Sequence, residues 1–441
     1  MNNLYTHPEP VEPEQKEQLT TWNTERVVDF INRKKEETFM DIAPINEYPR
    51  RDFLKIAGKV AFVTVLRPGL VFSAPEPEQT KLQIYRSKAM GCFMGAAIAD
   101  AMGGPVECQH YKRIAEYFPD FQEHLSYNMP PATFMKLKPG YALDEAPGSI
   151  TDDTFIRMDL SRYVLANEPP YTAASFAPWL MKNADFSNWW GQAVKAVDRV
   201  QDGIVTPEEG GLNHKQGGGG AWWQPIAILY AADPKKASAV TADMCRIWKA
   251  PLEQDILSSV VAGQAAAFEK GATIDSVVNA VLDDSGPLAK KLFTRAIEIA
   301  AKAKGRMELY EHLYEHCLVK ACTTKIDGPI PARLAPIDKM EGSYNGILFA
   351  EQQPLALAYF VYGQGDPYKT VLTAVKGGRD ADSITCNSAA WLGALAGNDI
   401  WPRKWVDTVQ AANLKRMNLQ RTAYDLIIKG VKNGTVKYDR M

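Results

Sequence analysis

The sequence is short of the patterns that announce a chemistry by themselves. Its six cysteines, Cys92, Cys108, Cys245, Cys317, Cys322 and Cys386, include no C-x-x-C pair. That excludes a zinc ribbon and a thioredoxin-type redox motif, and six in a chain of 441 residues do not make a disulfide framework. They read instead as small buried hydrophobes. No Gly-x-Ser-x-Gly elbow, P-loop or dinucleotide fingerprint occurs. Neither sign of charge is in excess: 50 basic residues face 52 acidic ones, for a net charge of −2. A nucleic-acid partner, which needs a concentrated Lys/Arg surface, is therefore not expected. There is no run of 18 uncharged apolar residues, so no stable membrane span is expected either. What remains, 46% hydrophobic and 23% charged, is ordinary for a soluble globular protein with room for one large domain or two.

The first 80 residues stand apart from the rest. Residues 1–48 form a polar extension with Pro8, Pro10 and Pro13 near its start. Residues 49–79 begin Pro49-Arg50-Arg51-Asp52-Phe53-Leu54-Lys55 and continue into the largely apolar Ile56–Ala74, diluted by Lys59 and Arg67. An Arg pair, Phe-Leu-Lys and a weak apolar stretch make the pattern of a twin-arginine signal, which predicts export to the periplasm or cell envelope. The long leader and the bulky Phe72 at the exit argue against it, and the alternative is an amphipathic docking helix in a cytoplasmic protein; export is the expectation. The Ala74-Pro75-Glu76-Pro77-Glu78 segment reads as a linker, and a domain is expected over residues 80–441.

From Lys81 onward the apolar residues recur at three- and four-residue spacing, in Val240–Phe268, Ile274–Leu282, Leu292–Met307 and Leu355–Val361. β-branched runs bounded by turns are nearly absent. The expected fold is all-α, an orthogonal bundle of many helices. Tyr117–Gly148 has several prolines and no period, which predicts a long loop.

Three segments carry chemistry. In the first, Gly91, Gly95 and Ala99 line one helix face, and Asp100 is a lone charge among small apolar residues. A buried Asp there must be hydrogen-bonded, paired or metal-bound. Gly103-Gly104-Pro105 stops the helix and Glu107 follows. The second is Ser149-Ile150-Thr151-Asp152-Asp153-Thr154, ahead of the helical pattern Phe155–Val164. Capping alone explains one Asp at a helix start; two Asp and two Thr offer more oxygen than a cap uses. The third is Lys376-Gly377-Gly378-Arg379-Asp380-Ala381-Asp382-Ser383, leading into the small-residue helix Thr385–Leu395. It lacks the further ligands of a calcium loop. The second and third clusters lie more than 220 residues apart, and each opens a helix. Brought together they offer four carboxylates and several hydroxyls, a set that suits Mg²⁺ or Mn²⁺ and that could not share a site without cations.

These three segments, in this order, resemble the ADP-ribosylglycohydrolase family, which includes the glycohydrolase that reactivates dinitrogenase reductase. The likeness extends through Pro225-Ile226-Ala227, Asp233-Pro234, Asp255–Phe268 and Pro354-Leu355-Ala356-Leu357, and covers nearly all of residues 82–410. It implies an all-α fold with two Mg²⁺ or Mn²⁺ ions held by Thr151, Asp152, Asp153, Asp380, Asp382 and Ser383. The implied chemistry is hydrolysis at the anomeric carbon of a ribosyl group, with Glu107, Asp153 and Asp382 as catalytic groups and a protein-linked or small ribosyl substrate. Asp100, Gly218, Gly219, Gly220 and Trp222 are the candidate substrate-binding residues.

The chain also departs from the family pattern. Ala99 stands where Gly is usual, and Ser383 replaces Thr but keeps the hydroxyl. Gly217–Gly220 followed by Ala221-Trp222-Trp223-Gln224 replaces a Gly-Asn-Gly segment ending in Met-Arg. The Gly run allows close approach of a phosphate or sugar, and a Trp could stack on a ring or simply anchor a loop. This departure bears on the leaving group and on ADP-ribose specificity. Hydrolysis of other glycosides, and a catalytically silent relative, are the alternatives; four costly carboxylates count against the silent one. Finally, His312-Leu313-Tyr314-Glu315-His316 lacks the Glu directly after the first His that the H-E-x-x-H zinc-protease motif demands, and is expected to be a solvated helix face.

Overall fold

The computed structural model describes residues 78–107, 109–125, 146–212, 220–318 and 346–441. The Arg50-Arg51 segment and Gly217–Gly219 lie outside the described residues. Sixteen helices run in chain order among the described residues: α1 Glu78–Gly103, α2 Tyr111–Tyr117, α3 Asp152–Ala166, α4 Ala173–Asn183, α5 Gly191–Gln201, α6 Gln224–Leu229, α7 Pro234–Met244 and α8 Pro251–Ala266, then α9 Ile274–Asp284, α10 Pro287–Lys302, α11 Arg306–His316, α12 Gly346–Gly363, α13 Pro367–Gly377, α14 Ala381–Ala396, α15 Arg403–Asn413 and α16 Leu419–Asn433. The expected all-α bundle is what forms. The described sheet is one antiparallel ribbon of two-residue strands, β1 (Gln109–His110) and β2 (Gly378–Arg379), with Gln109 opposite Arg379.

Local chemistry sets the helix boundaries. Thr172, Thr273 and Asn418 accept backbone N–H groups at the starts of α4, α9 and α16, and Asp233-Pro234 and Asp366-Pro367 open α7 and α13. The continuous pattern Val240–Phe268 is in fact two helices. A short 3₁₀ turn, Cys245–Ile247, follows α7, and Pro251 can only begin a helix, so α8 starts there.

The centre of the bundle is the antiparallel pair α1 and α14. A Cβ on Gly393 would stand 2.1 Å from Gly91 O, one on Gly95 would strike the Trp401 ring at 2.3 Å, and one on Gly103 would stand 2.5 Å from Ala381 O. The order 91, 95, 103 against 393, 389, 381 gives the direction, and only glycine permits this backbone contact. By length and apolarity Thr80–Val106 could cross a membrane, but 94% of its apolar 18-residue window is buried inside the fold. The antiparallel register sets the C-terminal end of α1 beside the N-terminal end of α14.

Candidate metal centre

Asp100 on α1 is fully buried at this junction. Its carboxylate accepts the Thr151 backbone N–H (3.1 Å), the Thr151 hydroxyl, and the Thr154 hydroxyl at 2.5 Å. Asp100 therefore fastens the N-terminus of α3 to α1, and with it Asp152 and Asp153 in the first turn of α3. Thr151 is also the N-cap, its Oγ1 accepting the Asp153 N–H. The Ser383 hydroxyl, in the first turn of α14, donates to Asp153 Oδ2 at 2.7 Å. The two acidic clusters are thus joined by a direct hydrogen bond, each at the N-terminal end of a helix, where the dipole favours anions.

Glu107 arrives by a different route. The β1–β2 ribbon ties the chain just after Glu107 to Gly378-Arg379, just before Asp380. A Cβ on Gly378 would stand 2.2 Å from Gln109 O, so the ribbon requires glycine there. Arg379 has φ +64°, a left-handed conformation rare outside glycine. It is held by Glu351, whose Oε1 accepts Arg379 Nε at 2.8 Å and Nη2 at 2.7 Å, with both side chains 1% exposed. Asp380 sits at the N-cap of α14 without capping it; its Oδ2 accepts the Gln352 amide instead.

As a result one ligand oxygen each from Glu107, Asp380 and Asp382 lie within 4.8 Å of one another. So do single atoms from Asp100, Asp153 and Cys386. Asp152 lies at the rim of the same first turn, 9% exposed.

The electrostatics of this cluster call for a cation. The Asp153 carboxyl is held well above the usual carboxylate range, by burial first and then by Asp152, Asp382, Asp100 and Asp380. Asp100 is raised too, by burial and then Asp382, against the pull of Arg157 and the two threonine hydroxyls. Carboxylates this close and this dry stay charged together only if positive charge is supplied. Burial also pushes the Cys386 thiol well above its ordinary value, and its Sγ donates to Ala96 O at 3.2 Å. With the Cys386 Sγ turned to the Ala96 carbonyl, the donors that remain are carboxylate and hydroxyl oxygens. Such a set fits hard divalent ions.

A family model described as ADP-ribosylglycohydrolase matches residues 81–434. The chain belongs to that family. No curated protein matches it in sequence. Its fold is similar to that of a solved structure, an ADP-ribosylglycohydrolase-related protein complex, at 16% identity and a TM-score of 0.51, over 79% of this chain and 99% of that one. Within this family member, Gly220 is buried and its carbonyl accepts the Asn387 amide at 3.1 Å. Trp222 and Trp223 are each 1% exposed and pack edge-on against Trp248, with ring centroids 6.0 and 6.5 Å apart.

Several neighbours of the centre carried no sequence signal. Arg157, one turn into α3, is fully buried and donates to Ala221 O and Cys386 Sγ at 3.4 Å each. Lys249 is 1% exposed; burial lowers its ammonium to about 8, against the pull of Glu253, Cys245, Asp153 and Asp380. Asn387 joins Gln224, Gln264 and Gln353 in a buried amide network. Each of these contacts joins segments far apart in the chain or polar residues inside apolar stretches, so no local pattern marks them.

Proposed function

We propose that this chain is a divalent-metal-dependent glycoside hydrolase that cleaves the anomeric bond of an ADP-ribosyl or related ribosyl substrate. The observation that carries the reading is the meeting of Glu107, Asp380 and Asp382 with Asp153 across the Ser383–Asp153 hydrogen bond. Thr151, Asp152, Asp153, Asp380, Asp382 and Ser383 would hold two Mg²⁺ or Mn²⁺ ions. Such ions supply Lewis-acid polarisation of sugar hydroxyls and acidify water at neutral pH.

The chain's own groups do the rest. Asp153 and Asp382, fixed in the first turns of α3 and α14, orient the attacking water by accepting its hydrogens. Glu107 is half-buried on the loop leaving α1 and has an oxygen near both Asp380 and Asp382. It is the group suited to hand a proton to the departing oxygen or nitrogen.

A second reading, hydrolysis of a glycoside other than ADP-ribose, rests on Trp222-Trp223-Gln224. These side chains are buried and bring no cation to a diphosphate.

The deciding experiment incubates the full chain with ADP-ribosylated arginine, ADP-ribosylated serine and simple ribosides, with and without Mg²⁺ or Mn²⁺. Metal-dependent release of ADP-ribose that disappears in the Asp380→Ala, Asp382→Ala double variant is the expected result. Release from ribosides alone would move the substrate to the second reading. A protein that binds no metal and hydrolyses none of these would overturn both.

A further inference from the structure

The helix α11 has two faces with different tasks. Its inner face buries Leu309, Tyr310, Leu313 and Tyr314. From it Tyr310 Oη donates to Thr373 O and Tyr314 Oη to Gly377 O, each at 2.7 Å. Those carbonyls belong to the last turn of α13, immediately ahead of Gly378-Arg379-Asp380. On the outer face His312 and His316 stand one turn apart in the same stripe. Their rings lie nearly parallel, 11° apart with centroids separated by 6.0 Å. Glu315 Oε2 is 3.8 Å from His316 Nε2. One nitrogen of each ring and one carboxylate oxygen all lie within 4.8 Å of each other.

We propose that His312, Glu315 and His316 form a second metal site, one for a borderline-soft divalent ion such as Zn²⁺, chemically separate from the oxygen centre at Asp153 and Asp382. The donor set decides the class of ion: two imidazoles and a carboxylate suit zinc, nickel or copper, whereas magnesium and manganese prefer oxygen. Three protein ligands with a fourth position open to water is a zinc arrangement. Ligands at roughly 2.0–2.2 Å from one ion stand no more than about 4 Å apart. The spread of up to 4.8 Å therefore closes with small rotamer turns of side chains that lie on the exposed or half-exposed face of the helix. A His and a carboxylate three residues apart on a helix are a pairing that metal-binding bundles also use. An ion here would staple the outer face of α11 while its inner face grips the backbone that carries Asp380. Zinc would then stiffen the support of the first centre without joining it.

The test titrates Zn²⁺ into the full chain by calorimetry, with Mg²⁺ held in excess so that the oxygen centre is satisfied by hard ions. One zinc per chain is expected, displaced by Ni²⁺ and not by further Mg²⁺. Even outer-shell losses weaken metal binding by roughly 10–100-fold, so H312A and H316A should each lose at least that much, with E315Q weakened less. The Asp380→Ala, Asp382→Ala variant should bind this zinc as wild type does. Both histidines are on the surface, so their variants should melt like wild type without zinc and lack its zinc-induced rise. A zinc isotherm unchanged in the H312A, H316A double variant, or no zinc bound by wild type in excess Mg²⁺, overturns the proposal.

Discussion

Replacing Glu351 by Gln should damage the molecule more than any surface change of equal size. Glu351 Oε1 accepts two N–H groups from Arg379, at 2.8 and 2.7 Å, and both side chains are 1% exposed. Arg379 also holds a left-handed backbone at φ +64°, a conformation worth about 1–3 kcal/mol of strain that its surroundings must offset. Removing one member of a buried pair leaves the other charge uncompensated, at about 3–5 kcal/mol. At roughly 2.1 cal/mol/K per residue of unfolding entropy, a domain of about 350 residues turns that into a fall in Tm of about 4–7 °C. The loss should reach the site as well, because Asp380 follows Arg379 directly and would lose its fixed direction. The assay is therefore double: a thermal melt of E351Q in chelator, and the rise in Tm on adding Mg²⁺, which should shrink. An E351M, R379M double variant buries no charge and should lose less stability than E351Q alone. A melt within about 1 °C of wild type, with the Mg²⁺ response intact, would refute the view that this pair positions Asp380.

Other outcomes follow from the same contacts. Thr154→Val removes a hydroxyl from the buried Asp100 carboxylate, and urea denaturation should report a loss of about 1–3 kcal/mol. G393A would set a Cβ 2.1 Å from Gly91 O; the central helix pair must part, and the loss should meet or exceed the roughly 1–3 kcal/mol of ordinary overpacking. Asp153 and Asp100 titrate above 3.8 in the folded, chelated protein. That state then holds protons the unfolded chain has released, so this contribution to stability is complete below about 3.8 and is lost as pH rises through the folded values. In chelator, D153N should flatten this pH-dependent loss of stability, as measured by urea denaturation across pH; a slope equal to wild type would contradict the assignment. Export, proposed from Arg50-Arg51, predicts that an R50K, R51K variant stays in the cytoplasmic fraction of cells that export the wild type.

The parts of this molecule legible in its sequence are those with a local cause. Helical spacing marks an all-α bundle, and Gly91 and Gly95 mark a face meant for close packing. Paired aspartates beside hydroxyl residues stand out at helix starts because they exceed what a cap uses. The proline at the head of α8 was legible too, yet the apolar period of Val240–Phe268 runs across it, so a continuous pattern hid a break. Contacts without local cause were not legible. Arg379 and Glu351 lie 28 residues apart, and nothing in either segment names the other. Trp222 and Trp223 illustrate a different limit: a tryptophan beside a glycine run serves equally as a stacking platform or a core anchor. Only packing decides, and here both rings are in the core against Trp248.

The geometry around Asp100 also bears on whether this chain is a silent relative that keeps the fold for binding alone. Asp100 spends its oxygens on Thr151 and Thr154, which is a structural task and would persist in such a relative. Asp153 and Asp382 are different. They are 2% and 1% exposed, and Asp153 is raised by four other carboxyls as well as by burial. Replacing buried charges by apolar groups of similar size is often neutral or stabilising. A chain with no use for a cation would therefore gain by losing them. Their presence beside Asp152 and Asp380 supports the proposed ion, and chelation separates the cases. A binding-only protein should melt at the same temperature with and without Mg²⁺, whereas the enzyme should gain stability in proportion to the logarithm of the ion's concentration above its dissociation constant.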